Sequence, residues 1–211
     1  MKLHTQIAIL ALAVSVPLFA QAPNGWKLRV DRSTEASDPD APGEIKFVSK
    51  GSGFHATNPQ AAVYWNPANT ATGNYTLKGT FTLMKPSGHN NYYGLTFGGS
   101  GLEGPQQSYL YFLVAQNGTW LIKRRDGDAS TSTVAAKTPN DAVVKPDAGG
   151  QSKNALEVRV GADQVDFAVN GTVVHSEPKS ALKTDGTYGI RVNHLLEVQI
   201  DDFGMSKGAS K

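Results

Sequence analysis

Asn154-Ala155-Leu156-Glu157-Val158-Arg159-Val160, followed by Val165-Asp166-Phe167-Ala168-Val169-Asn170-Gly171-Thr172-Val173-Val174, decides the fold. Apolar and polar residues alternate with a period of two, which sends successive side chains to opposite faces of a strand. Asn170-Gly171 is a preferred pair for a two-residue type I′ hairpin, whose central residues both need positive φ. That turn predicts Val169 opposite Thr172 and Phe167 opposite Val174 on the apolar side, with Asp166 opposite His175 on the polar side.

The pattern extends in both directions. Runs rich in β-branched and aromatic residues occupy 26–30, 44–48, 61–65, 75–84, 92–97, 109–114, 119–125, 188–192 and 196–203. Turn clusters such as Pro67-Ala68-Asn69, Lys85-Pro86-Ser87-Gly88 and Thr184-Asp185-Gly186 separate them. Helical periodicity is confined to one turn at 179–182, and 131–150 reads as a long crossing loop. So many short strands predict an all-β, two-sheet antiparallel sandwich. Asn117-Gly118, read as a second two-residue turn, sets Val114 opposite Leu121 and Tyr111 opposite Arg124, so Tyr109, Tyr111, Trp120 and Arg124 share a face. A three-residue turn at 193–195 sets Arg191 opposite Glu197.

Composition narrows the classes. The 211 residues include no Cys, which excludes disulfides, thiolate metal sites and Cys nucleophiles. Twenty basic and 18 acidic residues leave a net charge of +2, too small and dispersed for a nucleic-acid partner. At the N-terminus, Lys2 and His4 precede apolar runs at 7–14 and 16–19, the layout of a secretory signal too short to span a membrane. Residues 1–20 are the expected signal peptide, 24–205 a single domain and 206–211 a disordered tail. The expectation is an exported monomer, periplasmic or extracellular, with no membrane insertion once the signal is cleaved.

The 154–174 stretch, with Gly189-Ile190-Arg191-Val192 and Ile200-Asp201-Asp202-Phe203, resembles the C-terminal half of laminin-G-like domains of the concanavalin A-like lectin/glucanase superfamily. Related domains include the secreted bacterial family named for 3-keto-disaccharide hydrolysis. The resemblance implies a jelly-roll sandwich whose ligands sit on a concave face or its rim loops, and it does not by itself imply catalysis.

Superfamily glucanases carry three acidic residues alternating on one strand. Here Glu197-Val198-Gln199-Ile200-Asp201 places a neutral amide in the middle, so Glu197 and Asp201 are an incomplete catalytic set, and an outer-face polar strand is the competing reading. Asp126-Gly127-Asp128 and Asp201-Asp202 offer oxygens for Ca²⁺, but no calcium loop is present, and solvated turns fit them as well. The histidines show no zinc spacing. The ligand-binding residues expected are Tyr92, Tyr93, Tyr109, Tyr111 and Trp120, which present flat rings to sugar C–H faces, with Arg124, Asn90 and His89 as hydrogen-bonding partners. Plain packing under a crossing loop is the alternative for the same rings. The function expected is a non-catalytic domain that binds a saccharide or glycoconjugate without a cofactor. The alternatives are a saccharide hydrolase or lyase using Glu197, Asp201 or Glu103, and a structural envelope protein that binds a partner.

Overall fold

The computed structural model describes residues 22–31 and 41–208. The segment 1–20, expected to be a signal peptide, lies outside the described residues. Fourteen strands form: β1 Lys27–Val30, β2 Lys46–Lys50, β3 Gly53–Asn58, β4 Ala62–Ala71, β5 Tyr75–Lys85, β6 Tyr92–Ser100, β7 Ser108–Ala115, β8 Thr119–Asp126, β9 Thr131–Pro139, β10 Ser152–Val160, β11 Gln164–Val169, β12 Thr172–Pro178, β13 Gly186–Val192 and β14 Leu196–Lys207. One 3₁₀ turn spans Lys179–Ala181. β3 is a strand the sequence reading lacked, and β9 occupies half of the segment expected to be a loop. β14 continues to Lys207, where it pairs with Tyr75, so the domain's last strand runs past Met205. Among the described residues, no helix is long and apolar enough to cross a membrane.

Two seven-stranded antiparallel sheets result, one ordered β1-β4-β13-β6-β7-β8-β9 and the other β12-β11-β10-β5-β14-β3-β2. The alternation seen in the sequence aims Leu156, Val158 and Val160 of β10 and Leu196, Val198 and Ile200 of β14 into the space between them. There they meet Tyr93, Leu95, Phe97, Leu110, Phe112 and Val114 from the first sheet. Glu157 and Arg159 turn outward and pair at 2.7 Å.

The two sheets differ on their outer faces. The second sheet alternates buried and partly exposed residues, whereas β6 and β7 in the first are buried almost throughout. A second apolar cluster accounts for this: Val63, Trp65, Tyr92, Leu102, Tyr109, Tyr111, Leu113, Ala115 and Leu121 line the outer face of the first sheet. A strand apolar on both sides is covered on both sides.

Three expected registers change. Tyr111 pairs with Lys123 and Val114 with Trp120, one residue away from the two-residue-turn reading. Gly118 has φ +84° while Asn117 is not among the positive-φ residues, and the Gly118 amide donates to the Ala115 carbonyl at 3.1 Å. This is a three-residue loop with glycine in the left-handed position rather than a type I′ pair. The slip of one residue moves Trp120 and Arg124 to the opposite face from Tyr109 and Tyr111. At Asn170-Gly171 both φ values are positive, and Val169 does face Thr172. A bulge between Phe167 and Ala168 then sets Phe167 opposite His175 and Asp166 opposite Ser176. Finally, β13 and β14 lie in different sheets, so 193–195 is a crossover and Arg191 does not face Glu197.

Candidate functional site

The outer face of the first sheet carries charge at its centre. Asp31, directly after β1, is 1% exposed. Its carboxylate meets Arg125 from β8 at 2.8 Å and Arg191 from β13, and it accepts hydrogen bonds from the Tyr109 hydroxyl of β7 and, at 3.4 Å, the Gln107 amide. Arg191 also donates to the Tyr109 hydroxyl at 2.9 Å and stands over the Tyr111 ring, 5.1 Å from its centroid. Burial pulls the Arg191 guanidinium down to about 10, still far above neutrality, so it stays charged beside Asp31. Burial likewise pushes the Tyr109 hydroxyl well up, so it remains a donor.

At the rim, Arg29 grips both oxygens of Asp128 at 2.6 and 2.7 Å and donates to the Gly104 carbonyl. Gln107 donates to the same carboxylate at 2.9 Å and Arg125 to the Asp128 carbonyl at 2.8 Å. These bonds tie the 101–107 loop to the sheet. Beside that loop a cavity of about 410 Å³ opens, lined by Trp65, Pro67, Leu102, Glu103, Gln106 and Thr187 among others. Glu103 is paired with Lys27 at 2.5 Å at its edge. Trp65 is 4% exposed and closes the floor, so the Glu103 carboxylate, the Gln106 amide and the Thr187 hydroxyl are the groups that can meet a polar ligand.

The expected site residues divide among four places. Tyr109, Tyr111 and Tyr92 lie on this outer face; Tyr92 bonds Thr119 at 2.7 Å and takes Lys137 over its ring. Tyr93 and Trp120 point between the sheets, where Trp120 packs on Phe112 and His175. Arg124 lies at the sheet's margin and donates to the Ala181 carbonyl at 3.3 Å. Asn90 and His89 sit on the exposed 86–91 loop at the other end. The expected face of Tyr109, Tyr111 and Trp120 with Arg124, near Tyr92 and Tyr93, is therefore corrected: Tyr109 and Tyr111 share the outer face with Tyr92, Trp120 and Tyr93 turn away from it, and the guanidiniums among the outer rings are Arg125 and Arg191.

Glu197 and Asp201 project from the outer face of the second sheet. The His55 imidazole meets Glu197 at 3.1 Å, and the Gln199 amide donates to Asp201 at 3.1 Å. The Cα atoms of Glu197 and Asp201 lie about 13 Å apart along four residues of strand, with the neutral Gln199 between them on the same face. Glu197 does border a groove of about 770 Å³ with Lys46, Lys85, Pro86, Ser87 and Leu195. Asp166 accepts from Ser176 and Gln164, which hold its carboxyl below the usual range, and His175 bonds Glu177 at 2.8 Å instead. Asp128 is engaged by Arg29, and Thr80 donates to Asp202 at 3.3 Å. Among the described residues, no three His, Cys, Asp or Glu converge as a metal cage.

Asp31, Arg125, Arg191 and Trp65 were missed as site residues. Their one sequence signal is an arginine inside an apolar run, as in Gly189-Ile190-Arg191-Val192, since a charge in a doubly buried strand calls for a buried counter-charge.

Sandwich topology, two seven-stranded sheets and a buried polar centre on one outer face define the class: the chain has the concanavalin A-like jelly-roll fold. Its sequence matches no protein-family model and no curated protein. Among solved structures it is similar to the carbohydrate binding module CBM66 from Bacillus subtilis, with a TM-score of 0.60 at 13% identity over 87% of this chain and 96% of that one. It is also similar to a Bacillus subtilis protein of unknown function with a galectin-like fold, with a TM-score of 0.57 at 13% identity over 88% and 90%. A Bacteroides ovatus mixed linkage glucan GH16, solved with a G4G4G3G product, matches with a TM-score of 0.55 at 9% identity over 83% and 92%.

Proposed function

We propose that this protein is an exported, non-catalytic carbohydrate-binding domain whose ligand enters the cavity between Trp65 and the 101–107 loop. The observation that carries the reading is the pairing of an indole with Glu103, Gln106 and Thr187 around a cavity of about 410 Å³. The rings of this face are nearly closed off, with Tyr111 at 6% and Trp65 at 4% exposure, so the contacts open to a sugar are the polar groups at the loop end. A carbohydrate binding module among the similar folds supports the class of ligand.

A glycan array followed by calorimetry on the secreted chain is the direct test. Gln106→Ala and Glu103→Gln alter polar groups on the wall without entering the core. Gln106→Ala is expected to weaken the best ligand by about two- to tenfold and Glu103→Gln by about tenfold or more, the worth of one hydrogen bond to a neutral and to a charged partner. Undiminished affinity in both variants overturns this placement.

The competing hydrolase or lyase reading draws on the Glu197–His55 contact beside the larger groove. It requires saccharide turnover that disappears in Glu197→Gln.

A further inference from the structure

The groove of about 770 Å³ beside Glu197 draws its lining from four neighbouring strands of the second sheet. Register builds its floor: Lys46 of β2 pairs with Thr57 of β3, Thr57 with Glu197 of β14, and Glu197 with Lys85 of β5. The last pairing depends on a bulge. Leu83 faces Val198 and Lys85 faces Glu197, so Met84 is the extra residue, and a lysine rather than a methionine stands opposite the carboxylate. The result is a row of ammonium, hydroxyl, carboxylate and ammonium groups that all line the groove. With strands about 4.8 Å apart, the two lysine Cα atoms lie about 14 Å from each other.

Lys46 and Lys85 are exposed, and among the described residues neither ammonium is in an ion pair. Glu197 holds the His55 imidazole at 3.1 Å instead. Pro59, Pro86 and Leu195 supply the apolar part of the lining. Leu195 is 40% exposed and holds φ +56°, a left-handed conformation that leucine rarely adopts. Its strained backbone keeps an apolar side chain at the groove rather than in the core, and strain of this kind gathers at ligand sites.

We propose that this groove is a second binding site, for an acidic saccharide of the uronic type, whose carboxylates meet Lys46 and Lys85 while its hydroxyls meet Glu197 and Thr57. Lysine can only donate and an ionised carboxylate can only accept. The row therefore takes negative charge at its two ends and hydroxyl donors at its centre. A neutral sugar leaves both ammonium groups without a counter-charge. A uniformly charged chain, such as polyphosphate or a nucleic acid, sets its charge against Glu197 and against Glu44 on the same wall. A uronic oligomer alternates the two kinds of group, and its ring C–H faces rest on Pro59, Pro86 and Leu195. The site is separate from the Trp65 cavity, since Trp65 belongs to β4 of the first sheet, and it requires no turnover at Glu197.

Calorimetry on the full chain at low salt compares an oligogalacturonide and an alginate oligomer with the same oligomers after reduction of their carboxylates to alcohols, and with polyphosphate. The expected result is saturable binding of at least one acidic oligomer, at least a tenfold loss on carboxylate reduction, and weaker binding as salt rises. Lys46→Gln and Lys85→Gln, both changes to exposed side chains, are each expected to lower that affinity by about tenfold or more, the worth of a hydrogen bond to a charged partner. Acetylation of lysines in the complex, read by mass spectrometry, is expected to spare Lys46 and Lys85 and to modify Lys27, which is paired with Glu103 at the edge of the Trp65 cavity. The proposal is overturned if neither acidic oligomer binds saturably, if the reduced oligomers or polyphosphate bind as tightly, or if affinity survives both lysine changes. Protection of Lys27 in place of Lys46 and Lys85 overturns it as well, because the ligand then occupies the other cavity.

Discussion

Replacing Asp31 by Asn keeps the shape of the side chain and removes the charge on which two guanidiniums converge. Asp31, Arg125 and Arg191 side chains are 1%, 4% and 7% exposed, so solvent cannot take over the role of counter-ion. Removing one partner of a buried pair costs about 3–5 kcal/mol, because the remaining charge is left uncompensated. The Arg191 guanidinium loses its carboxylate, so that range applies. It is a large share of the roughly 5–15 kcal/mol that holds a domain folded. In a domain of this size, about 4–5 kcal/mol lowers the melting temperature by roughly 10–15 °C. The assay is chemical and thermal unfolding of wild type, Asp31→Asn and the triple variant Asp31→Leu/Arg125→Met/Arg191→Met. The triple variant removes all three charges and is expected to recover most of the loss, since buried ion networks are often replaceable by apolar groups. Tyr109→Phe, which deletes one donor to the carboxylate, is expected to cost about 1.5–3 kcal/mol. An Asp31→Asn loss below about 1 kcal/mol would refute the reasoning, because a group that inexpensive to neutralise is not a buried counter-ion.

Trp120→Ala is expected to cost about 3–5 kcal/mol as a core truncation; a loss under about 1 kcal/mol in urea unfolding would return the indole to an open face. Glu197→Gln is expected to change stability by no more than about 1 kcal/mol, since its carboxylate is well exposed and a single partly exposed pair is worth little. Asp166 gives a pH signature. Its carboxyl is held below the ordinary value, first by the Ser176 hydroxyl and then by the Gln164 amide, so its stabilisation is present above about pH 3.9 and is lost as pH falls through the folded value. Ser176→Ala should therefore be less stable than wild type at pH 7 and approach it as Asp166 is protonated in acid; a gap that does not narrow in acid contradicts the assignment. Gly189→Ala should fail to yield folded protein, because the added carbon would lie 2.1 Å from the Tyr64 carbonyl oxygen; soluble expression with a native circular dichroism spectrum contradicts the close packing of β4 on β13.

Strand identity was legible in this chain because it depends on neighbours two residues apart. Leu156-Glu157-Val158-Arg159-Val160 announces a half-buried strand by itself, and so does the 196–200 run. Register was less legible. Asn117-Gly118 and Asn170-Gly171 are the same dipeptide, yet only the second has both residues at positive φ. The difference is made by the core: with a three-residue loop, Trp120 and Ile122 join Phe112 inside the sandwich, and a two-residue loop would turn them out. The candidate site was the least legible. Asp31, Tyr109, Arg125 and Arg191 come from four separate parts of the chain, and the cavity wall at 103–106 belongs to a loop with no periodicity. His89 was readable as a site residue, but its approach to His194 depends on a crossover that sequence spacing does not reveal.

The order of strands also sets a schedule for the chain's synthesis. β13 lies between β4 and β6, and β14 between β5 and β3, so the final strands to be made occupy interior positions of both sheets. Neither sheet can be completed by adding strands to an edge as the chain emerges, because the first has a gap in its middle until residue 192 is available and the second until residue 207. A domain that must wait for its last two strands stays unlocked until they are made, with long apolar strands unpaired and prone to association. The same arrangement means that a product truncated before β13 lacks a central strand in each sheet and should be cleared as unfolded protein rather than accumulate as a smaller working domain.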